Sequence, residues 1–309
     1  MGAQILFSLV PVFALILLGY VVGRADLLGQ RAFEVLNRFV LVLTLPVLTF
    51  RTIAVMNPGH LAQPGMIAAV LGGALGIYAL AFITERLLGR NASDANVVAM
   101  SAGYSNTAFV GLPIAVLLFG QAAIPPTAVA IALNAAVVFT VGVLVADLVA
   151  THGSAWQGGV LALKAVSRNP LILSGIGGAL WASLGMSLPG PLDVTLQTLG
   201  AATAPCALTA IGLFIARPRP PASAAVTARI ALLKLIGQPL LTMGCLALLP
   251  PIPPLWAKVA VLMGAMPTGT SSFILAGGAG RWAMETSARA IVVTTITASV
   301  TLSAVVWLF

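Results

Sequence analysis

Charge is what this sequence is short of. Only 7% of its 309 residues are Asp, Glu, Lys or Arg, where a soluble domain carries about a quarter. That scarcity excludes water as the solvent for most of the surface. Histidine is scarce as well: His60 and His152 both fall in connections, there is no H-E-x-x-H, and no two carboxylates lie close together inside an apolar run. A membrane enzyme needs an acid, base, nucleophile or metal set at depth. None is legible here, so the chain is not expected to be an enzyme or to carry a cofactor or metal. Cys206 and Cys245 sit singly in apolar runs and read as small buried residues rather than a disulfide or metal pair.

What remains is 60% hydrophobic, in runs of about 20 residues, each able to cross a hydrocarbon core of about 30 Å as a helix. Apolar runs bounded by charge, Pro and Gly predict ten transmembrane helices near 4–23, 33–50, 63–84, 95–119, 125–149, 170–187, 194–216, 228–249, 256–279 and 286–308. The first run is too long for a signal peptide and Met1 to Gln4 supply no base, so it is expected to stay in the mature protein. The net charge of +8 comes from few acids rather than many bases and reads as the bias of cytoplasmic loops, so the expected partner is the lipid bilayer and not nucleic acid. Twelve of the 15 bases fall in the connections after helices 1, 3, 5, 7 and 9: Arg24, Arg31, Arg38, Arg86, Arg90, Lys164, Arg168, Arg217, Arg219, Arg229, Arg281 and Arg289. Those connections are therefore expected in the cytoplasm, and both termini in the periplasm.

The two halves, 1–150 and 165–309, each hold five predicted helices. Pro11 and Pro46 are spaced as Pro170 and Pro205 are, and at the same offset Gly19 meets Gly178 and Thr44 meets Thr203. An odd helix count per half turns the second copy over, giving two inverted five-helix repeats.

Helices 4 and 9 cannot run unbroken. Helix 4 carries Ser101-Ala102-Gly103-Tyr104-Ser105-Asn106-Thr107 and then Gly111-Leu112-Pro113; helix 9 carries Gly264-Ala265-Met266-Pro267-Thr268-Gly269-Thr270-Ser271-Ser272 and then Gly277-Gly278. Proline removes a backbone donor and crowds the carbonyl four residues back. Broken backbone is tolerated at membrane depth only inside protein or beside a water-filled cavity. Half-helix N-termini there attract carboxylates, and Asn106, Thr107, Thr268, Thr270 and Ser271 add neutral hydrogen bonds. The plainer reading is a pair of proline kinks, which the symmetric placement argues against.

Asn106-Thr107-Ala108-Phe109-Val110-Gly111-Leu112-Pro113 with Leu118-Phe119-Gly120, Met266-Pro267-Thr268-Gly269-Thr270 with Phe273-Ile274-Leu275-Ala276, and Asn37-Arg38-Phe39 leading to Leu45-Pro46 resemble motifs of the auxin efflux carrier family, within the superfamily of bile acid, arsenite and riboflavin transporter-like proteins. The resemblance implies an all-α polytopic inner-membrane protein, a scaffold from helices 1, 2, 6 and 7, and a transport domain from helices 3–5 and 8–10 in which helices 4 and 9 cross at their breaks. It also implies a small organic anion as substrate: malate, malonate and related acids in bacterial members, auxin in plant ones. The chain departs in lacking a long central loop and in offering Ser271 and Ser272 where relatives place an Asn.

Three further residues carry two readings each. Lys234 in helix 8 either snorkels to the cytoplasmic side or faces the cavity and helps hold an anion. Asn134 in helix 5 is interhelical glue or a cavity donor. Asp147 is a boundary residue or a proton-exchanging one. The expected site is thus Asn106, Thr107, Pro113, Pro267, Thr268, Thr270, Ser271, Asn134 and Lys234, in a carrier of mono- or dicarboxylates. A cation-coupled or cation-exchanging transporter is the alternative, disfavoured because neither broken segment holds a carboxylate. A homodimer is left open.

Overall fold

A computed structural model describes residues 2–29, 31–55, 63–150, 170–216 and 223–307. His60, His152, Lys164, Arg168, Arg217, Arg219 and both chain ends lie outside them. The described residues are helical apart from connections and one isolated two-residue bridge. In chain order the helices are α1 (Gly2–Arg24), α2 (Ala32–Ala54), α3 (Pro64–Leu87), α4 (Ala92–Gly103), α5 (Thr107–Phe119), α6 (Gln121–Val149), α7 (Pro170–Ser183), α8 (Gly190–Ile215), α9 (Ala224–Leu248), α10 (Pro254–Gly264), α11 (Ser271–Ala276) and α12 (Arg281–Trp307). Six of them, α2, α3, α6, α8, α9 and α12, are long and apolar enough to cross a membrane. Large apolar side chains stand exposed on them, among them Leu80, Leu240, Ile296, Val300 and Trp307, a surface suited to lipid. The molecule is a multi-pass membrane protein.

Small residues set the packing. Where α1 meets α8, a Cβ on Gly19 would stand 2.2 Å from the Thr209 carbonyl oxygen, and one on Gly212 would stand 2.1 Å from that of Ile16. Where α7 meets α2, a Cβ on Gly178 would stand 2.7 Å from the Phe50 oxygen. Only glycine permits backbones to approach so closely, and lipid supplies no hydrophobic drive to compensate for a looser fit. Gly72, Gly73 and Gly76 of α3 likewise face Cys245, Thr242 and Leu241 of α9. These glycine strings are packing surfaces, and Cys245 is part of one.

Ion pairs sit where helices end. Arg51 at the end of α2 pairs bidentately with Asp193 at the start of α8, at 2.8 and 3.1 Å. Glu85, almost wholly buried near the end of α3, accepts from Arg90 at 2.7 Å and from Arg229 of α9 at 2.5 Å. Arg90 also lies over the Trp282 ring. Asn91, which matches a glycosylation pattern, instead caps α4 by accepting from the Asp94 N–H at 2.8 Å.

Candidate functional site

Helix α4 stops at Gly103, Tyr104 is extended, and helix resumes at Thr107. The second interruption runs from Ala265 to Thr270, between α10 and α11. The two stretches meet. Ser105 and Thr268 form an antiparallel bridge, with the Asn106 N–H donating to the Pro267 oxygen and the Gly269 N–H to the Tyr104 oxygen, each at 2.9 Å. Peptide groups that would otherwise be orphaned in an apolar interior thereby satisfy one another. Gly269 is needed for the approach, since a Cβ there would lie 2.5 Å from the Tyr104 ring and 2.9 Å from the Ser105 oxygen. Thr268 clamps the pairing: its hydroxyl donates to the Ser101 oxygen at 2.7 Å, and its N–H donates to the Thr294 hydroxyl of α12 at 3.1 Å.

One side of this pairing faces α2 across a small cavity of about 30 Å3, whose wall includes Asn106, Thr107, Thr270 and Ser271 together with Leu45 and Thr49 of α2. Asn106 is 3% exposed, and its side-chain Nδ2 has no hydrogen-bond partner. It occupies the position before α5, and Thr107, Ala108 and Phe109 of that helix's first turn share the wall. N–H groups of a first turn have no carbonyl within the helix, and the helix end carries about half a positive charge. The cavity is therefore rich in donors and offers no carboxylate.

The other side is closed by α9 and α6. Asn134 donates from Nδ2 to the Ser105 oxygen at 2.5 Å. Lys234, fully buried, donates to the Ser105 hydroxyl at 2.6 Å, to the Gly264 oxygen at 3.2 Å, and to Gln238 Oε1. It does not snorkel. A much larger cavity, about 930 Å3, lies between α2 and the α4, α6 and α11 helices, with Asn91, Asn96 and Asp147 in its wall. Its lining residues Leu41 and Ile274 stand about one turn from Leu45 and Thr270 of the small cavity.

Of the residues expected at the site, Asn106, Thr107, Thr270 and Ser271 gather around the small cavity, Pro267 and Thr268 form the pairing, and Asn134 and Lys234 buttress it from behind. Pro113 stands apart, exposed, on the far side of a π-turn at Thr107–Gly111. Sequence reasoning passed over Ser105, which Asn134 and Lys234 both reach, and Gln238, whose place one helical turn after Lys234 could have signalled an i, i+4 partner. Thr49 carried no signal, its hydroxyl being turned back to the Leu45 oxygen at 2.9 Å.

Comparison with known proteins places the chain among membrane transporters. The family model described as membrane transport protein matches residues 4–307. A protein of Rhizobium meliloti (strain 1021) named "Putative malonate transporter" is 31% identical over 313 residues, covering 99% of this chain and 96% of its own. The "Uncharacterized transporter YfdV" of Escherichia coli (strain K12) is 24% identical over 279 residues, covering 87% and 86%. A match of this extent means that the chain belongs to the membrane transport protein family, the auxin efflux carriers.

Proposed function

We propose that the chain is a secondary carrier of small organic anions, mono- or dicarboxylates, which bind at the paired interruptions and cross the inner membrane by alternating access. The observation that carries this reading is the buried Asn106 Nδ2 without an acceptor, set beside the first turn of α5 in a cavity free of carboxylates. A carboxylate entering a low-dielectric site needs several donors in return for its lost hydration. A side-chain amide, threonine and serine hydroxyls and a helix N-terminus are such a set. The name of the Rhizobium relative points to a three-carbon dicarboxylate as the first compound to try.

The mechanism follows from a ten-crossing reading, in which α4 with α5, and α10 with α11, each make one span. Two inverted repeats are supported by matching contacts: Gly19 of α1 presses on Thr209 of α8 as Gly178 of α7 presses on Phe50 of α2. Both glycines, and both residues they touch, are 159 positions apart. Thr44 and Thr203, at the same spacing, are both buried with hydroxyls lacking partners. Helices α1, α2, α7 and α8 pack on one another as a scaffold; the rest form a bundle carrying the interruptions. The 930 Å3 cavity lies between the two groups on the side of Arg90, the cytoplasmic side by the distribution of bases. The 30 Å3 space holds no more than a water or so, so the bundle must shift against α2 to admit a carboxylate.

Purified protein in liposomes, tested for binding and uptake against a panel of labelled mono- and dicarboxylates, decides the matter. Saturable uptake of one of them, lost in Asn106→Ala, is the expected result. No uptake of any member would overturn the reading.

A further inference from the structure

We propose that the Lys234 ammonium is a tethered cation filling a monovalent-cation site between the two interruptions, and that it frees the carrier from dependence on Na+.

Lys234 is fully buried, so its charge is answered within the protein. Its three acceptors, the Ser105 hydroxyl, the Gln238 amide oxygen and the Gly264 carbonyl, are all neutral oxygens, one for each N–H of an ammonium. Ser105 belongs to the first interruption and Gly264 borders the second. Gly264 is the last residue of α10, so its oxygen lies at the negative end of a helix that stops in the membrane interior. Oxygens exposed where helices break are the kind of ligand that carriers use for coupling cations. The Thr242 hydroxyl stands close by, within 3.0 Å of where a Gly264 Cβ would be. Helix α9 also departs from α geometry here, through a π-turn at Leu233–Gly237 that contains the lysine, and such bulges recur at functional sites. A hard, uncharged oxygen cluster of this kind suits a small cation. Here the cation arrives on a side chain, which cannot dissociate and cannot be coupled to a Na+ gradient.

The cation site stands on geometry alone, whereas the claim about coupling rests on the carrier reading above; the test separates them. Lys234→Ala removes the ammonium and its stem, leaving Ser105, Gln238 and Gly264 facing an opening. Purified in detergent and heated in equal concentrations of NaCl, KCl or choline chloride, the variant is expected to melt several degrees higher, saturably, in Na+ or K+ than in choline. The unaltered protein should melt alike in all three. In liposomes, uptake by Lys234→Ala should rise several-fold with Na+ or K+, while uptake by the unaltered protein should not change when choline replaces Na+. Identical melting of Lys234→Ala in the three salts would overturn the site. A cation-dependent melting shift in the variant, with no solute uptake by either protein, would keep the site and sink the carrier reading. If the variant does not survive purification, the unaltered protein decides: a difference between Na+ and choline in its melting or uptake overturns the proposal, and indifference to the exchange upholds it.

Discussion

At the scale of single residues, Asn106 and Asn134 are both buried amides beside the same bridge, yet they should fail differently. Asn134 has its partner in the Ser105 oxygen. Asn134→Ala leaves that carbonyl short of a donor, which should cost about 1–3 kcal/mol of stability, seen as a lower melting temperature. Asn106 Nδ2 has no protein partner to abandon. Asn106→Ala should therefore leave melting nearly unchanged and weaken substrate binding by about 1–3 kcal/mol, roughly tenfold for each 1.4 kcal/mol. Asn106→Asp sharpens the contrast. Aspartate is as good a cap as asparagine and its charge favours a helix N-terminus, so the variant should fold at least as well while repelling the anion. Equal affinity in Asn106→Asp and the unaltered protein would remove Asn106 from the site.

At the scale of elements, the two prolines of the interrupted helices are not equivalent. Pro267 lies in the pairing and presents its carbonyl to the Asn106 N–H. Pro113 lies in α5, where the π-turn has the Leu112 N–H reaching back to the Thr107 oxygen. Replacing Pro267 by Ala should let α10 lengthen into the crossing and impair uptake; Pro113→Ala should relieve up to about 3 kcal/mol of helix strain with little loss of transport. Uptake and melting measured side by side would show it, and uptake unaffected in Pro267→Ala would mean that the crossing is not the site. The gaps between α4 and α5 and between α10 and α11 fall where Pro, Gly and hydroxyl residues are conspicuous in an apolar run. The pivot was not legible, because Pro113 is the loudest helix breaker near Asn106 while Ser105, where the backbones meet, reads as an ordinary small residue. Helix limits were legible to within a few residues, as in 63–84 against Pro64–Leu87. The π-turns inside α2, α6 and α9 left no trace, being answers to neighbours that only folding supplies.

For the whole molecule, the expectation is that both termini face the periplasm. Cysteines introduced singly at Gly2 and Trp307 should react with an impermeant maleimide on intact cells, and labelling of Trp307→Cys only after lysis would undo both the topology and the inverted repeat. If the bundle shifts against the scaffold, a disulfide joining α2 to α11 across the small cavity should arrest transport, and reducing it should restore uptake. Arrest that survives reduction would count against such motion.

A lysine that travels with a moving bundle also has an electrical consequence. With Lys234 charged, a bundle loaded with a monoanion is neutral as it moves through the membrane field, whereas the empty bundle returns carrying one positive charge. Each elementary charge is worth about 2.3 kcal/mol per 100 mV, so the membrane potential would act on the return stroke rather than on the stroke that carries solute. A negative interior would then draw the empty binding site inward, turning resting voltage into a reset for export. For a dianion the loaded stroke would feel the field too, and the voltage dependence of each half-cycle would report the charge of the solute it carries.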